Sequence, residues 1–545
     1  MQRINNAFSK WFIVWKGRNN LPTDHAWYLQ NVRIKNWGIT NKKGARKLHE
    51  ATHHVQAIFW YDLDNRLYYI RDATLIRFPN SSLWNLFIAA WDKLWWTNPR
   101  RIVKYWDFVL MLNWRSHMRV FHLEHWLFRV DNASWYESWP SILPLWISDW
   151  VWVRMPDPII WCTITWFTLI AGSNTVTRNI LYISHPVSYV EPYNSYNFSI
   201  PSWWQEYDIW ENRHMSSEIL GMVSTGNNAY IFCKDSIEII GRDTMSIAWS
   251  IATLSTIRIW TGEQLLSHRT AVAVWEQVFF FTRQRTICSI NYTPGIEDPN
   301  IDLHFSDSIN EWLKLNIVQW SQRNAFAYYD KKEEQVEFHL HSIFETENYP
   351  DIVVIRDIKS QTRLIDKDMA FQDLCIWWAT WQTTYAAQGK FIYEDNANTY
   401  NNYYQDNSWT NQWIEARYHT TNIAMGNETQ EKLFKWFTIA WWMTMWNKII
   451  VRCFIDWKLE FSKEISSFDI ASSELSAIDT WDPVNYSQTN KLYPFEYVAD
   501  QWKIRKKWKR IRIAVECSEI NEQFYVDTLF IDAVPTWNFE LNDKF

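Results

Sequence analysis

The chain has 545 residues, 47% of them hydrophobic, which is length and apolar content for roughly two to four domains with sizeable cores. Its 54 Lys and Arg stand against 60 Asp and Glu, a net charge of −6 that excludes a global basic field for nucleic acid. Glycine is scarce, at 11 residues against 41 tryptophans, where an ordinary chain carries about 7% glycine.

In chain order, the first informative stretch covers residues 19–44. Leu29-Gln30-Asn31-Val32-Arg33-Ile34 alternates like a strand. It runs into Asn36-Trp37-Gly38, a second short strand and a turn over residues 41–44. A tight hairpin tip favours Asn-Gly, because both central residues need positive φ, and Trp after Asn is strained there. The same misfit recurs at Asn113-Trp114, Asp149-Trp150 and Asp456-Trp457. Trp is doubled at Trp95-Trp96, Trp203-Trp204, Trp377-Trp378 and Trp441-Trp442, where Gly-Gly would suit a loop. The expectation is that most of these tryptophans stand where the source inserts glycine. That happens when a UGA codon, read as glycine in some bacterial lineages and their phages, is written as Trp. Trp114, Trp150 and Trp457 are then expected exposed at loop tips. Trp312 sits in an ordinary strand-like context and is the candidate for a genuine one. The competing reading is a truly Trp-rich chain, such as a carbohydrate binder.

Helical periodicity is nearly absent, and short β-rich runs separated by turns predict an all-β chain. Runs at 55–61, 66–70 and 73–78 form one meander. Runs at 101–105 and 108–112, with two more ending at residue 130, form another. Residues 135–160 carry Pro140, Pro144, Pro156 and Pro158 and read as an irregular crossover. Meanders resume with 164–171 and 180–184, then 219–224, 229–233 and 236–240, then 270–274, 277–281 and 286–290. Runs at 325–329, 335–340 and 352–356 follow, and the last meander holds 373–376, 384–387 and 390–393. About seven meanders at a spacing of roughly 40–55 residues match the period of propeller blades, although no shared WD or kelch motif appears. Residues 396–411 read as a linker. Longer strands at 414–420, 435–440, 448–455, 458–461, 509–515 and 523–531 predict a separate β-sandwich. The expected division is an N-terminal arm and hairpin over 1–48, a roughly seven-bladed β-propeller over 49–395, the linker, and a C-terminal β-sandwich over 412–545.

Six cysteines, Cys162, Cys233, Cys288, Cys375, Cys453 and Cys517, lie far apart in apolar runs and read as buried free thiols. Residues 11–15 are too short for the apolar core of a secretory signal, and residues 159–171 are too short to span a bilayer. A soluble protein made in the cytoplasm, without membrane insertion, is expected.

Several of these stretches together resemble a known family. The Asn-rich start, the strand at 29–34, the hairpin and Gly44-Ala45-Arg46-Lys47-Leu48 resemble the opening of tailed-phage tail hub and nozzle proteins. The packaged-DNA stabilisation proteins of short-tailed phages belong to the same broad group. Asn179-Ile180-Leu181-Tyr182-Ile183-Ser184-His185-Pro186, Phe198-Ser199-Ile200-Pro201 and Asp235-Ser236-Ile237-Glu238-Ile239-Ile240 are similar too. So are Gln264-Leu265-Leu266-Ser267-His268-Arg269 and Gln277-Val278-Phe279-Phe280-Phe281-Thr282. Gly44-Ala45 stands where the family often has Pro-Gly. The likeness covers most of residues 15–345 and, more loosely, the C-terminal part. It implies a propeller with appended β domains in a homo-oligomeric ring around the DNA channel of a virion. It also implies other tail or connector proteins as partners, and no catalysis.

Three motifs bear on chemistry. His49-Glu50-Ala51-Thr52-His53 matches H-E-x-x-H, which binds zinc only when a helix brings both histidines to one face. Its flanks predict a strand instead, on which the two lie about 13 Å apart. Ser306-Asp307-Ser308-Ile309-Asn310-Glu311-Trp312 is one imperfect copy of the aspartate box of sialidase-type propellers. A tail-associated glycan-binding or glycan-cleaving propeller is therefore the alternative function, although no carboxylate pair can be chosen among 60 acidic residues. The strongest charge run contains Lys503, Arg505, Lys506, Lys507, Lys509 and Arg510. It reads either as a solvated edge that discourages strand addition or as a contact to channel DNA phosphates or acidic neighbours. No phosphate-binding glycine loop and no Ser-His-Asp set can be assembled, so no catalytic residue, metal or cofactor is expected.

Overall fold

A computed structural model describes residues 2–6, 10–12, 25–35, 38–42, 44–62, 65–71, 74–78, 83–85, 101–105, 108–113, 116–122, 126–129, 158–164, 167–172, 178–184, 209–226, 228–248, 251–292, 299–303, 305–307, 309–319, 324–344, 349–358, 363–367, 370–376, 383–395, 401–402, 412–413, 415–420, 432–443, 448–466, 493–499, 507–517 and 524–535. Among them the regular structure is strand, apart from one short helix, Asn310–Asn316.

Seven four-stranded antiparallel sheets follow one another along the chain among the described residues. The first is an up-and-down meander of Val55–Tyr61, Arg66–Arg71, Thr74–Phe78 and Leu83–Asn85. The others start at Arg101, Pro158, Ile219, Ala271, Phe326 and Asp373. First strands pack against first strands: Pro158–Ile164 on Ile219–Ser224, that on Ala271–Val274, and that on Phe326–Asp330. Asp373–Ile376 of the seventh sheet returns to Val55–Tyr61 of the first, so the series closes on itself as a β-propeller. The seventh sheet takes its outer strand, Arg46–Glu50, from the chain just before the first sheet.

Two-faced burial explains why these runs form strands. In the first sheet Ile58, Trp60, Leu67 and Tyr69 pack against Ala387 and Ile392 of the seventh. Trp60 stacks on Tyr385 with ring centroids 5.5 Å apart. The alternate residues Phe59, Tyr61 and Tyr68 pack together on the opposite face. Each such side chain contributes about 1.5–3 kcal/mol by leaving water.

Two further sheets form the β-sandwich. One joins Lys432–Met443, Tyr493–Ala499 and Phe524–Pro535; the other joins Ala416–Thr420, Ile511–Cys517, Lys448–Ile455 and Lys458–Ser466. Phe437, Ile439, Val526 and Leu529 of the first share one apolar cluster with Tyr418, Ile449, Val451, Ile513 and Val515 of the second. That cluster continues into Val336, Phe338, Val354 and Leu364 of the sixth propeller sheet.

The N-terminal residues are not a separate arm. Gln2–Asn6 pairs with Phe524–Pro535, and the hairpin of Val32–Lys35 and Gly38–Asn41 joins the same sheet. Lys10–Phe12 and His25–Gln30 join the other, where His25–Gln30 pairs with Ala416–Thr420. Hydrophobic pattern marks a strand but does not name its partner, so a pairing across some 500 residues is invisible in it.

Three other expectations are corrected. Pro158–Ile164 is the first strand of the third sheet, not part of an irregular crossover. A proline is tolerated as a strand's opening residue, and Pro158 holds that place. The strand expected at 236–240 runs on to Ala248. Trp312, expected in a strand-like context, lies buried in the short helix. All six cysteines are free, and five of them are buried.

Candidate functional site

The most concentrated chemistry among the described residues is a set of buried charges where the N-terminal hairpin meets the sixth propeller sheet. Asn31 starts it. Its φ of 52° is a left-handed turn that Asn tolerates through its short side chain. Its N–H donates to the Ile365 carbonyl at 3.0 Å, and its side-chain amide donates to the Glu415 carbonyl at 2.9 Å. This fixes the strand Val32–Lys35, from which Arg33 reaches Asp366 on Arg363–Lys367.

Arg33 grips both carboxylate oxygens of Asp366, Nη1 to Oδ1 at 2.8 Å and Nη2 to Oδ2 at 2.6 Å. Lys42, just past the second hairpin strand, brings Nζ to 3.0 Å from Asp366 Oδ2. All three side chains are buried, Asp366 completely. Burial alone would push the Asp366 carboxyl up, but Arg33 and Lys42 outweigh it and hold the group at about 2. Lys42 is raised by the same carboxylate against its own burial.

Behind the triad, His339 and Glu337 sit on one face of Gln335–Leu340. The Phe371 N–H donates to His339 Nδ1 at 3.0 Å, so that nitrogen is an acceptor. Nε2 then carries the proton and faces Glu337 Oε2 at 3.3 Å. The imidazole lies flat on Phe326, with centroids 4.4 Å apart. Burial would raise Glu337, but the His339 hydrogen bond and the Lys42 charge bring it below its usual range. Asp330, on the next strand, is pushed the other way, up to about 6, by burial and by Glu337. These groups are matched to one another, and the arrangement holds two parts of the chain together; it presents no activated nucleophile.

A second cluster closes the propeller. Arg269, ahead of the fifth sheet, donates to Asp373 Oδ1 of the seventh at 2.5 Å and lies over the Phe326 ring. The Ile58 N–H of the first sheet donates to Asp373 Oδ2 at 2.9 Å. Burial pushes Asp373 up despite Arg269. Beside it, the Ala51 and Val55 N–H groups donate to the Lys390 and Gly389 carbonyls. Gly389 turns with φ +55°, which an L side chain resists.

The H-E-x-x-H residues lie on the outer strand Arg46–Glu50 and the corner after it. His49 Nε2 is 3.1 Å from the Tyr69 hydroxyl, Glu50 pairs with Lys47 and Lys390, and exposed His53 contacts Thr52. The strand thus keeps His49 and His53 off any shared helical face. In the aspartate-box-like stretch, the Ile287 N–H donates to Ser306 Oγ, whose hydroxyl donates to Asn310 Oδ1, a turn leading into the helix.

Of the basic run, Lys503, Arg505 and Lys506 lie outside the described residues. Lys507 is on a short strand paired with Leu433. Lys509 is exposed and Arg510 half-buried, and the backbone N–H groups of both donate to the Asp456 carboxylate. Arg33, Lys42 and Asp366 were missed by sequence reasoning. The one trace of them was an arginine set between Val32 and Ile34 in an apolar alternation.

Trp457 has φ 78° and Trp275 has φ 58°; both are exposed, Trp275 by 81%. Trp457 is at the tip of the turn joining Lys448–Ile455 to Lys458–Ser466, as expected. Trp114 and Trp150 lie outside the described residues.

No family model and no curated protein matches the chain. Among solved structures it is similar to PorZ, a bacterial surface component of the type-IX secretion system of Porphyromonas gingivalis, at 8% identity and TM-score 0.36. That match covers 66% of this chain and only 38% of PorZ. The WD40 domain of Neurospora crassa Pan2 is similar at 8% identity and TM-score 0.35, over 65% of this chain and 95% of that domain. A chain of the mitotic checkpoint complex is similar at 9% identity and TM-score 0.35, over 64% of this chain and 92% of its own length.

Proposed function

We propose that this chain is a structural, non-catalytic component of a tailed-phage virion: a tail hub, nozzle or head–tail connector piece whose copies form a ring around the DNA channel. The observation that carries this reading is the locking of the propeller to the sandwich through Arg33, Lys42 and Asp366. An ion cluster of this kind is no more stable than apolar packing of the same volume, yet separating its partners is severely unfavourable. It suits a part whose work is to keep one geometry under load. The likeness of residues 15–345 to tail hub and nozzle proteins supports the same assignment.

In this reading the chain acts in the virion, without a cofactor, beside other tail and connector proteins. The basic run from Lys503 to Arg510 makes non-specific contact with channel DNA. Negative-stain images of the purified chain are expected to show closed rings; a population of single particles only would overturn the ring.

We also propose that Trp275 and Trp457 stand where the natural protein carries glycine. Their left-handed backbone, strained for a side chain by about 1–2 kcal/mol, supports this. Trp457→Gly is expected to raise stability by about 1 kcal/mol in urea unfolding. Peptide mass spectrometry of the natural protein should find glycine at both positions, and intact tryptophan there would refute the substitution.

A further inference from the structure

Asp330 and Glu337 share one face of the sixth propeller sheet. The register sets Asp330 opposite Gln335 and Tyr328 opposite Glu337. Asp330 and Glu337 are therefore diagonal neighbours on adjacent strands, a spacing of about 7–8 Å that their side chains shorten. Both are buried, at 5% and 3% exposure.

Every element packed around the pair presents its own groups. The turn after Asp330 donates the Lys332 and Glu333 N–H groups to Asp330 Oδ1 at 2.9 and 3.3 Å, and it brings the Glu333 carboxylate close. The third strand, Ile352–Asp357, presents Asp357, which accepts from Gln335 Nε2 at 3.1 Å. His339, on the strand of Glu337, faces that carboxylate. The N-terminal hairpin presents Arg33 and Lys42, both of which favour the charge on Glu337. The seventh sheet presents Thr384 and, paired with it, Asp395. Tyr328 meets both of them as well as the two acids of its own sheet.

The two acids are thus treated differently. Cations and the imidazole gather on Glu337, whereas the side-chain charges that act most on Asp330 are the carboxylates of Glu337 and Glu333. Two buried carboxylates this close do not both ionise cheaply, and the less supported one keeps its proton longer. That one is Asp330, held at about 6 by burial and by Glu337. When it ionises, the new charge arrives beside Tyr328, at the contact of the sixth sheet with Thr384 and Asp395 of the seventh. Like charges then face one another across that contact. Opening it to water relieves them, because a solvated Asp330 is an ordinary acid.

We propose that the contact between the sixth and seventh propeller sheets is a proton-operated joint, closed while the Asp330–Glu337 pair holds one proton and loosened when that proton leaves. The Arg33–Lys42–Asp366 tie is a separate device. Its two cations are raised above their ordinary range and Asp366 is held at about 2, so its charges persist between pH 4 and 8. The joint does not depend on copies forming a ring.

The sign follows from Asp330. An acid of ordinary 3.8 held at about 6 favours the closed form below about pH 4, and the advantage is lost as pH rises through 6. Of that loss, a factor of about 10 in the opening equilibrium falls between pH 5 and 8.

Amide hydrogen exchange of the full chain at pH 5 and 8, read by mass spectrometry and corrected for the intrinsic rise of exchange with pH, tests this. Peptides covering residues 326–340 and 384–395 are expected to lose about 10-fold in protection at pH 8, while those covering residues 66–71 of the first sheet stay unchanged. Asp330→Asn, which keeps an acceptor for the Lys332 and Glu333 N–H groups, should abolish the loss. Glu337→Gln should reduce it, and decides the matter if the first variant does not fold. Equal protection at both pH values, a loss shared by the first sheet, or a loss that survives both substitutions would overturn the joint.

Discussion

The N-terminal segment is tied to distant chain in two ways, and they differ in kind. At the propeller seam, Arg46–Glu50 completes the seventh sheet by backbone pairing with Phe391–Asp395. Its ion pairs, Arg46–Glu394 and Lys390–Glu50, are wet: the Arg46 side chain is 56% exposed. At the sandwich junction, beside the shared apolar cluster, the polar tie is Arg33 and Lys42 on a fully buried Asp366. A wet ion pair contributes about 0–1 kcal/mol, while breaking a buried one costs about 3–5. The ion pairs of Arg46–Glu50 are therefore small, replaceable terms, whereas the buried charges at the junction, set beside the apolar cluster shared by the sandwich and the sixth sheet, fail together.

Asp366→Ala should break the contrast most sharply. It leaves two buried cations without their counter-charge and is expected to lower unfolding free energy by about 3–5 kcal/mol in urea titrations. Replacing Arg33, Lys42 and Asp366 together by Met, Met and Leu should recover most of that loss; failure to recover would mean the triad contributes more than charge balance.

Acid sharpens the same point. Asp366 is held at about 2, below its ordinary 3.8. Its stabilisation is present above about pH 4 and is lost as pH falls through about 2. Asp330, raised to about 6, behaves oppositely: its neutral form is favoured, so its contribution is present below about pH 4 and lost as pH rises through 6. Asp330→Asn should therefore stabilise the chain at pH 8 and change little at pH 4. Melting curves at the two pH values check both statements, and equal shifts at both would refute the second.

Asp373→Asn, at a buried acid linking the first, fifth and seventh sheets, is expected to cost about 1–3 kcal/mol, since Arg269 loses a charge partner while the Ile58 N–H keeps an acceptor. Arg46→Ala should cost under about 1 kcal/mol. Were Arg46→Ala to match Asp366→Ala in urea unfolding, the distinction between seam and junction would collapse.

Much of the fold was legible because its strands are apolar-rich runs set off by turn residues. Residues 55–61, 101–105, 335–340, 373–376 and 448–455 were bounded as the structure bounds them, since apolar runs ending in turn residues admit little else. Outer strands such as Leu83–Asn85 and Asn300–Asp302 are three residues long and carry no such pattern. The strand at Pro158 was hidden by its own proline. The junction was nearly silent, because a charge buried by a partner more than 300 residues away looks locally like any surface charge. The basic run was conspicuous, and its described end lies against Asp456.

The placement of Arg46–Glu50 has a consequence for synthesis. A ribosome delivers this strand before the seven sheets, yet its partner Phe391–Asp395 emerges only after all but the last of them has been made. Gln2–Asn6 waits longer still, until Phe524–Pro535 leaves the tunnel. These two pairings span nearly the longest sequence separations the length permits, and closures of that kind form slowly. The leader must stay extended and unaggregated for most of translation, a period in which chaperone capture would matter more than at any later time.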